Sequence, residues 1–412
     1  MKLAIEGERL SAEIEELAAI SEAEPPAVTR IVFTPTDLKA RRWLWDRCEQ
    51  AGLKVRQDAI GNIFARWIGT DAEASAVGTG SHIDAIPNAG KYDGVVGVLG
   101  GLEAIRSLQK SGFRPKRSIE LLVFATEEPT RFGIGCLGSR LLSGTISTDA
   151  ARQLKDKDGV GLEDIRNAAG FSGSLDEVKL TNRYYKAFVE LHIEQGPLLE
   201  KQKIPLGVVT KIAAPASYRI SIEGAGGHAG GVLMPDRRDA LCAASELILA
   251  IEKVAKNTGA LDSVATVGIC EVFPGAVNSI PSRVKLALDI RDTTLERRGK
   301  AMRDIGDAVR SIATERQVSI QMAELNADAP ADCDPAVVEA LSASCKKQGH
   351  AFMPMVSRAY HDSLFMSRVA PVAMLFIPCR NGYSHRPDEY ASPEDIQRGV
   401  AVLAETLATL AE

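Results

Sequence analysis

Two patterns of secondary structure share this chain of 412 residues, and their order limits the possible folds. Towards both ends, short apolar runs typical of buried strands alternate with amphipathic helices. Such runs occupy residues 119–125, 187–193 and 372–378. The alternation is typical of an α/β domain whose sheet carries helices on both faces. The chain is also longer than most domains with a single hydrophobic core, so two domains are expected.

The middle of the chain follows a different pattern. Tyr218, Ile220 and Ile222 alternate with polar residues, as expected of a strand with one face in solvent, and residues 284–290 repeat the alternation. A long helix with an apolar face is predicted between these two strands. We therefore predict a smaller α+β domain at residues 213–327, inserted into a larger α/β domain with a mixed sheet, formed by residues 1–212 and 328–412.

Composition and charge exclude several classes of protein. The chain is 45% hydrophobic and 25% charged, and its net charge of −5 comes without clusters of basic residues, which argues against a nucleic-acid partner. No apolar run has the length of a membrane span, so no membrane partner is expected. Acidic residues interrupt the first apolar positions, where a signal peptide needs a continuous apolar stretch, and the seven cysteines are scattered. A cytoplasmic location is therefore expected.

Four short segments are rich in side chains that can bind a metal ion. They are GSHIDAIPNAGKYDG with His82, Asp84 and Asp93, ATEEPTRFG with Glu127 and Glu128, ELHIEQG with His192 and Glu194, and GYSHRP with His385. These segments stand where predicted strands end, and open α/β sheets form their sites beyond the carboxyl ends of strands. Imidazole and carboxylate without thiolate are typical ligands of hydrolytic metal ions.

Residue spacing indicates which of these side chains could bind metal and which could act on water or orient a ligand. In an extended stretch Glu127 and Glu128 point in opposite directions, so one can bind a metal ion while the other acts on water beside it. Asp84 lies two residues from His82 and can orient its imidazole. Each pattern has a simpler alternative, because paired glutamates commonly form a solvated surface and a single His-x-Asp is weak. Spacing alone leaves the reaction open.

The ordered motifs resemble one known family. GSHID, KYDGVVGVLGG, ATEEPTRFG, LHIEQGP, GGHAG, NSIPS, DIRD and YSHRP are similar to those of the carbamoylase branch of the M20 metallopeptidase clan, and the match runs from about residue 28 to the C-terminus. The branch contains N-carbamoyl-L-amino-acid hydrolases, allantoate amidohydrolases, β-ureidopropionases and ureidoglycolate amidohydrolases. The resemblance implies a catalytic α/β domain and an inserted domain that serves as a lid and forms a homodimer.

The resemblance also implies a binuclear metal site. Asp93 would bridge two divalent ions, with His82 and His192 completing one site and Glu128 and His385 the other. The implied metal is Mn²⁺, and Zn²⁺, Co²⁺ and Ni²⁺ are alternatives because mixed histidine and carboxylate ligands accept several ions.

Catalytic roles are implied for three residues. Glu127 would be the general base and acid, and Asp84 would assist through His82. His228 would reach from the inserted domain into the active site of the partner subunit and stabilise the developing oxyanion. On sequence alone, the glycine-rich GAGGHAGG around His228 is equally well explained as a flexible hairpin.

Substrate contacts are implied for a second set: Gln195, His228, Asn278, Arg291, Tyr360 and His361. The planar guanidinium of Arg291 suits a substrate carboxylate, although a surface arginine at a strand end is the simpler interpretation without the family. Tyr360 stands where most members of the branch have glycine. Its phenol could donate a hydrogen bond to a substrate hydroxyl, or the ring could simply pack beneath His361.

Within the branch, GKYDGVVGVLG, EEPTRFGIGCLGSRLL, VVTKIAAPAS and SRAYHDSLFM are most similar to plant ureidoglycolate amidohydrolases. We therefore predict an enzyme of purine and ureide breakdown that hydrolyses the ureido group of ureidoglycolate, with release of ammonia and carbon dioxide. N-carbamoyl-L-amino acids and allantoate are the alternative substrates. The alternative class is a binding protein that has lost turnover, but Glu127 and all the implied ligands are present.

Overall fold

The computed structural model describes residues 3–412. Its α-helices are α1 (Gly7–Ala18), α2 (Pro35–Gln50), α3 (Val95–Lys110), α4 (Leu137–Ser143), α5 (Thr148–Arg152), α6 (Leu162–Ala168), α7 (Leu198–Gln202), α8 (Ala240–Lys256), α9 (Leu295–Arg316), α10 (Pro335–Lys347), α11 (Asp362–Met366) and α12 (Pro393–Ala411). In this part of the chain, no helix is both long and apolar enough to cross a bilayer.

The strands are β1 (Val28–Arg30), β2 (Lys54–Gln57), β3 (Ile63–Trp67), β4 (Ala76–His82), β5 (Ala85–Ala89), β6 (Ile119–Phe124), β7 (Tyr185–Ile193), β8 (Leu206–Ile212), β9 (Ala214–Glu223), β10 (Gly227–His228), β11 (Val264–Phe273), β12 (Ser279–Ile280), β13 (Arg283–Asp292), β14 (Ser319–Ala327), β15 (Ala331–Asp332), β16 (Phe352–Ser357) and β17 (Val372–Ile377). Short 3₁₀ turns lie at Leu175–Glu177, Met234–Asp236 and Arg380–Gly382.

The chain divides into two compact units. The larger unit runs to Thr210 and includes Asp332–Met355 and His361–Glu412, while the smaller contains Lys211–Ala331 and Val356–Tyr360. The hydrophobic pattern of the sequence does not separate Val356–Tyr360 from the larger domain. In the structure this segment is tied to the start of the smaller unit, because the amide of Ala213 donates to the carbonyl of Ser357 at 2.8 Å.

The larger unit is built on a mixed sheet with strand order β15-β8-β17-β7-β4-β6-β3-β2, and β16 pairs with β8. The four central strands, β17, β7, β4 and β6, run parallel, while β8, β3 and β2 are antiparallel to their neighbours. All residues of β4, β6 and β17 are buried, as expected of parallel strands covered on both sides.

Helices cover both faces of this sheet. On one face α3 and α12 pack against each other and against β7. On the other, Phe188 of β7 belongs to an apolar cluster that contains Leu141 and Leu142 of α4. The predicted α/β class with a mixed sheet is confirmed.

The smaller unit is an α+β sandwich, as predicted. Its antiparallel sheet has the order β11-β13-β9-β14, and α8 and α9 pack against it. Ile220 and Leu286 from the sheet and Leu247 and Ile305 from the helices are buried in one core. A separate short ribbon pairs β10 with β12.

Candidate metal centre

The central parallel strands end at one edge of the sheet, and the predicted ligands follow those ends. His82 is the last residue of β4, and His192 is the penultimate residue of β7. Glu127 and Glu128 lie three and four residues after the last residue of β6, and His385 lies in the loop after β17. Because parallel strands end together, residues far apart in sequence meet there.

Asp93 lies at the centre of this group. Its Oδ1 is 3.2 Å from Nε2 of His192 and 3.6 Å from Nε2 of His82. Its Oδ2 is 3.2 Å from Nε2 of His385, which is 3.4 Å from Oε1 of Glu128. The structure therefore groups His82, Asp93 and His192 as one ligand triad and Asp93, Glu128 and His385 as another.

The donor chemistry fits a pair of divalent ions. Each triad offers one oxygen of the Asp93 carboxylate. The first adds two imidazole nitrogens and the second adds an imidazole nitrogen and a carboxylate oxygen, and Zn²⁺ or Mn²⁺ accepts both sets. Four of the five side chains are buried, whereas that of His385 is about half exposed at 47%. One triad is therefore enclosed and the other is open on the side of His385.

Glycine at position 94 allows the Asp93 turn to approach the histidines. Gly94 has a φ of 66°, and a Cβ at this position would lie 2.5 Å from the imidazole of His82. Its amide hydrogen points at Nε2 of His192, at 3.1 Å. A side chain here would displace the imidazole, so the turn requires glycine.

The second nitrogen of each buried imidazole is already occupied. Nδ1 of His192 lies 2.9 Å from the carbonyl of Ile193, and Nδ1 of His82 lies 3.0 Å from the carbonyl of Asp84. A proton on Nδ1 satisfies these carbonyls and leaves Nε2 as the unprotonated nitrogen, an arrangement typical of metal-bound histidines.

Asp84 has a further function that the sequence did not suggest. Its carboxylate accepts the amides of Glu127 at 3.3 Å and Glu128 at 3.0 Å, and lies 3.6 Å from Nδ1 of His82. Asp84 thus fixes the backbone of both glutamates as well as contacting the imidazole.

The two glutamates face different partners. Oε2 of Glu127 is 3.6 Å from Nε2 of His82, and its Oε1 accepts a hydrogen bond from the thiol of Cys136 at 3.3 Å. Glu128 faces His385 instead. Burial raises the pKa of Glu127 well above its usual value, and the neighbouring charge of Glu128 adds to this shift.

Charge around Asp93 separates the pKa values of the ligands. Burial alone would raise the pKa of Asp93, but hydrogen bonds with the three imidazoles hold it well below its usual range. Conversely, the hydrogen bond with Asp93 raises the pKa of His385 to about 9. Burial raises the pKa of Glu128 to about 7. Without metal, this centre therefore retains protons at neutral pH.

Two predicted substrate residues also lie in the larger unit. Nε2 of Gln195 donates to Oδ2 of Asp93 at 2.7 Å. The buried ring of His361 lies 4.4 Å from that of His192. Glu194, grouped with potential ligands from the sequence, instead accepts the amides at the start of α7, Leu198 at 2.7 Å and Leu199 at 2.8 Å.

The other predicted substrate residues lie in the smaller unit and form two groups. His228 is exposed on β10, and the next amide, that of Ala229, donates to the carbonyl of Asn278. The guanidinium of Arg291 lies 5.8 Å from the ring of Tyr360 and binds the carboxylate of Asp289 at 2.8 Å.

The sequence analysis did not predict three residues that contact the centre: Cys136, Ser384 and Glu389. Ser384 and Glu389 flank His385 in the motif GYSHRPDEY, and their nearness to a ligand was the only available signal. Cys136 reaches Glu127 through a turn that no periodicity predicts.

The chain is similar to several known proteins of one family. The model for peptidase family M20/M25/M40 matches residues 78–409. The ureidoglycolate hydrolase of Oryza sativa subsp. japonica is 50% identical over 98% of this chain and 85% of its own. The N-carbamoyl-L-amino acid amidohydrolase of Geobacillus stearothermophilus is 36% identical over 99% of each chain. The crystal structure of AtUAH in complex with (S)-hydroxyglycine has a TM-score of 0.90 and 48% identity, covering 99% of this chain and 98% of that one.

The protons held by the metal-free centre predict a pH-dependent stability. Folding raises the pKa of His385 from an ordinary 6.5 to about 9 and that of Glu128 from 4.5 to about 7, so the folded state binds more protons than the unfolded state. Stability must then fall as pH rises. The His385 contribution is complete below pH 6.5 and is lost as pH rises through 9.

The measurement is the Tm of chelator-treated protein between pH 6 and 9. Wild-type Tm should fall over this interval, and His385→Asn should fall less steeply. The control is His228→Asn, which replaces an exposed histidine of the smaller unit and should keep the wild-type slope. Identical slopes in wild type and His385→Asn would contradict the pairing of His385 with Asp93.

Proposed function

The chain belongs to peptidase family M20/M25/M40, and from that membership we propose that it is a metal-dependent amidohydrolase acting on ureidoglycolate. The proposed substrate is supported by 50% sequence identity to a ureidoglycolate hydrolase over 98% of the chain. N-carbamoyl-L-amino acids are the second candidate, supported by the relative at 36% identity.

The proposed reaction consumes one water and breaks the bond between the ureido carbonyl and its terminal nitrogen. Ammonia leaves first, and the remaining carbamate gives carbon dioxide and hydroxyglycine. The related AtUAH is described in complexes with (S)-hydroxyglycine and with glyoxylate, and hydroxyglycine gives glyoxylate when it loses ammonia. Both ligands are thus products of this chemistry.

We propose that the two ligand triads hold two divalent ions, with Asp93 shared between them and Mn²⁺ as the metal. Support comes from the two Asp93 oxygens, each of which faces a different set of donors. When bound, such ions supply Lewis acidity to the substrate carbonyl and make water more acidic. His82 and His192 would hold one ion, and Glu128 and His385 the other.

Glu127 is the proposed general base and acid. Its carboxylate accepts a proton when water attacks the carbonyl carbon and delivers a proton to the nitrogen that leaves as ammonia. Its raised pKa suits this double task, because a carboxyl group that holds its proton more tightly than usual is a stronger base towards water. The thiol of Cys136 occupies the other carboxylate oxygen, so only one oxygen is directed towards His82.

The smaller unit is proposed to bind the substrate and to form a homodimer. Arg291 would bind the substrate carboxylate, and His228 of one subunit would stabilise the oxyanion in the other. Strand β11 lies at the edge of its sheet and exposes Ile269 and Phe273, each more than half accessible. An exposed apolar edge strand is suited to pairing with a second copy.

The roles of Glu127 and Glu128 can be separated by matched substitutions. Glu127→Gln should keep its Mn²⁺ yet lose about 10²–10⁴-fold in kcat, the usual contribution of a general base. Glu128→Gln should lower Mn²⁺ content, because a charged ligand becomes neutral. Elemental analysis and ammonia release measure the two effects. Substantial turnover by the Glu127→Gln variant would show that Glu127 is not the general base.

The substrate is tested by ammonia release from Mn²⁺-loaded protein supplied with ureidoglycolate, allantoate or N-carbamoyl-L-amino acids. Ureidoglycolate should give the highest kcat/KM. Protein that ignores ureidoglycolate but turns over carbamoyl-amino acids would leave only the broader amidohydrolase function.

Tyr360 should contribute to this preference. If its phenol binds the substrate hydroxyl, Tyr360→Phe should cost roughly 1–3 kcal/mol of transition-state binding for ureidoglycolate. Tyr360→Gly should also improve kcat/KM for bulkier carbamoyl-amino acids. Tyr218→Phe is the control, since that hydroxyl donates to Glu324. Equal effects of the two Phe variants would show that Tyr360 only packs.

The shared site predicts complementation between subunits. In a mixed dimer of His228→Ala and Glu127→Gln chains, one of the two sites combines an intact Glu127 with an intact His228. Random exchange of subunits makes about half of the dimers mixed, and each mixed dimer has one intact site of two. The mixture should therefore recover up to about a quarter of wild-type activity. A mixture of Glu127→Gln and Glu128→Gln should recover nothing, because both lesions lie in the same unit. Absence of recovery in proven heterodimers would place His228 outside the partner's site.

A further inference from the structure

Glu389 lies directly behind Asp93 and has no part in the proposed reaction. Its side chain is 4% exposed, and its Oε1 accepts the amides of Tyr92 at 2.8 Å and Asp93 at 3.1 Å. The turn before Asp93 is wrapped closely around it, since a Cβ at Gly90 would lie 2.3 Å from the Cβ of Glu389. One carboxylate oxygen thus fixes the backbone from which Asp93 projects.

The second oxygen of Glu389 reaches the loop of the last ligand. Ser384, the residue before His385, places its hydroxyl 2.8 Å from Oε2 of Glu389 and 2.7 Å from Oδ2 of Asp93. Gln195 completes the group with Nε2 3.3 Å from the same hydroxyl. Glu389 therefore contacts both the turn that carries Asp93 and the loop that carries His385.

Among positively charged groups, this buried carboxylate interacts with the imidazole of His385, whose raised pKa it helps to maintain. Its hydrogen bonds come from neutral donors, and within residues 3–412 no lysine or arginine forms an ion pair with it. A buried carboxylate beside the charge of Asp93 is unfavourable unless positive charge compensates. Two divalent ions held by Asp93 would supply more positive charge than the protonated imidazole of His385, so Glu389 is better suited to the loaded centre than to the metal-free one.

We propose that Glu389 is a positioning residue that, through Ser384, holds the Asp93 turn and the His385 loop in register, and that the centre needs it to bind both ions tightly. The proposal rests on the proposed binuclear function. Two physical effects act together: the hydrogen bonds fix the spacing of ligands nearly three hundred positions apart in sequence, and the charge favours cations.

The test compares Mn²⁺ binding to chelator-treated wild type, Glu389→Gln, Ser384→Ala and the double variant. Calorimetric titration gives affinity and stoichiometry, and a thermal scan without metal gives Tm. Glu389→Gln should bind Mn²⁺ at least tenfold more weakly, while its metal-free Tm stays close to that of wild type because the amide oxygen can still accept from the backbone amides of Tyr92 and Asp93.

Ser384→Ala should also weaken Mn²⁺ binding. In the double variant, the fold loss of Mn²⁺ affinity should be smaller than the product of the losses in the two single variants, because both substitutions break the same Glu389–Ser384 interaction. The matched control is Glu200→Gln. Glu200 accepts the amide of Asn381 at 2.7 Å in the same loop but does not contact Asp93. Its Mn²⁺ affinity should equal that of wild type.

Wild-type affinity and stoichiometry in both single variants would overturn the proposal. So would weaker binding accompanied by a matching loss of metal-free Tm, which is what a purely structural role predicts. The proposed function fails separately, if wild type itself binds fewer than two Mn²⁺ ions or does not hydrolyse ureidoglycolate. The two failures are therefore distinguishable.

Discussion

The structure depends on one carboxylate that three imidazoles share. Asp93 places one oxygen towards His82 and His192 and the other towards His385, and each contact joins a different strand end to the same point. Four parallel strands, the turn before α3 and the last loop all converge there. Because so many histidines face one buried charge, the metal-free centre holds protons where the loaded centre would hold cations.

Most of the hydrogen bonds that hold the residues around this carboxylate in place involve backbone amides or carbonyls. Asp84 accepts the amides of both glutamates, Glu389 accepts those of Tyr92 and Asp93, and two carbonyls fix the imidazoles. Backbone contacts depend on how the chain turns more than on which side chain it carries. The ligand geometry is thus set by the fold, and the side chains then determine which ion and which proton the site accepts.

The sequence predicted the central strands closely, since runs at 119–125, 187–193 and 372–378 became β6, β7 and β17. Their signal is local, because strands covered on both faces must be apolar throughout. The proposed ligands were identified through resemblance rather than spacing. Ser384, Glu389 and the placement of Val356–Tyr360 were missed for a common reason: each depends on contacts between distant parts of the chain, which no local pattern records.

The position of β17 determines when such a protein can mature. This strand lies beside β7 in the middle of the sheet, yet residues 194–371, including the whole of the smaller unit, separate the two strands in sequence. A ribosome must therefore release that whole segment before the strand that leads to His385 can join its neighbour. Until then the nascent chain holds an incomplete sheet and lacks His385, one of the five proposed metal ligands, so metal capture follows the synthesis of β17, and translation products that stop before it will be substrates for chaperones and proteases.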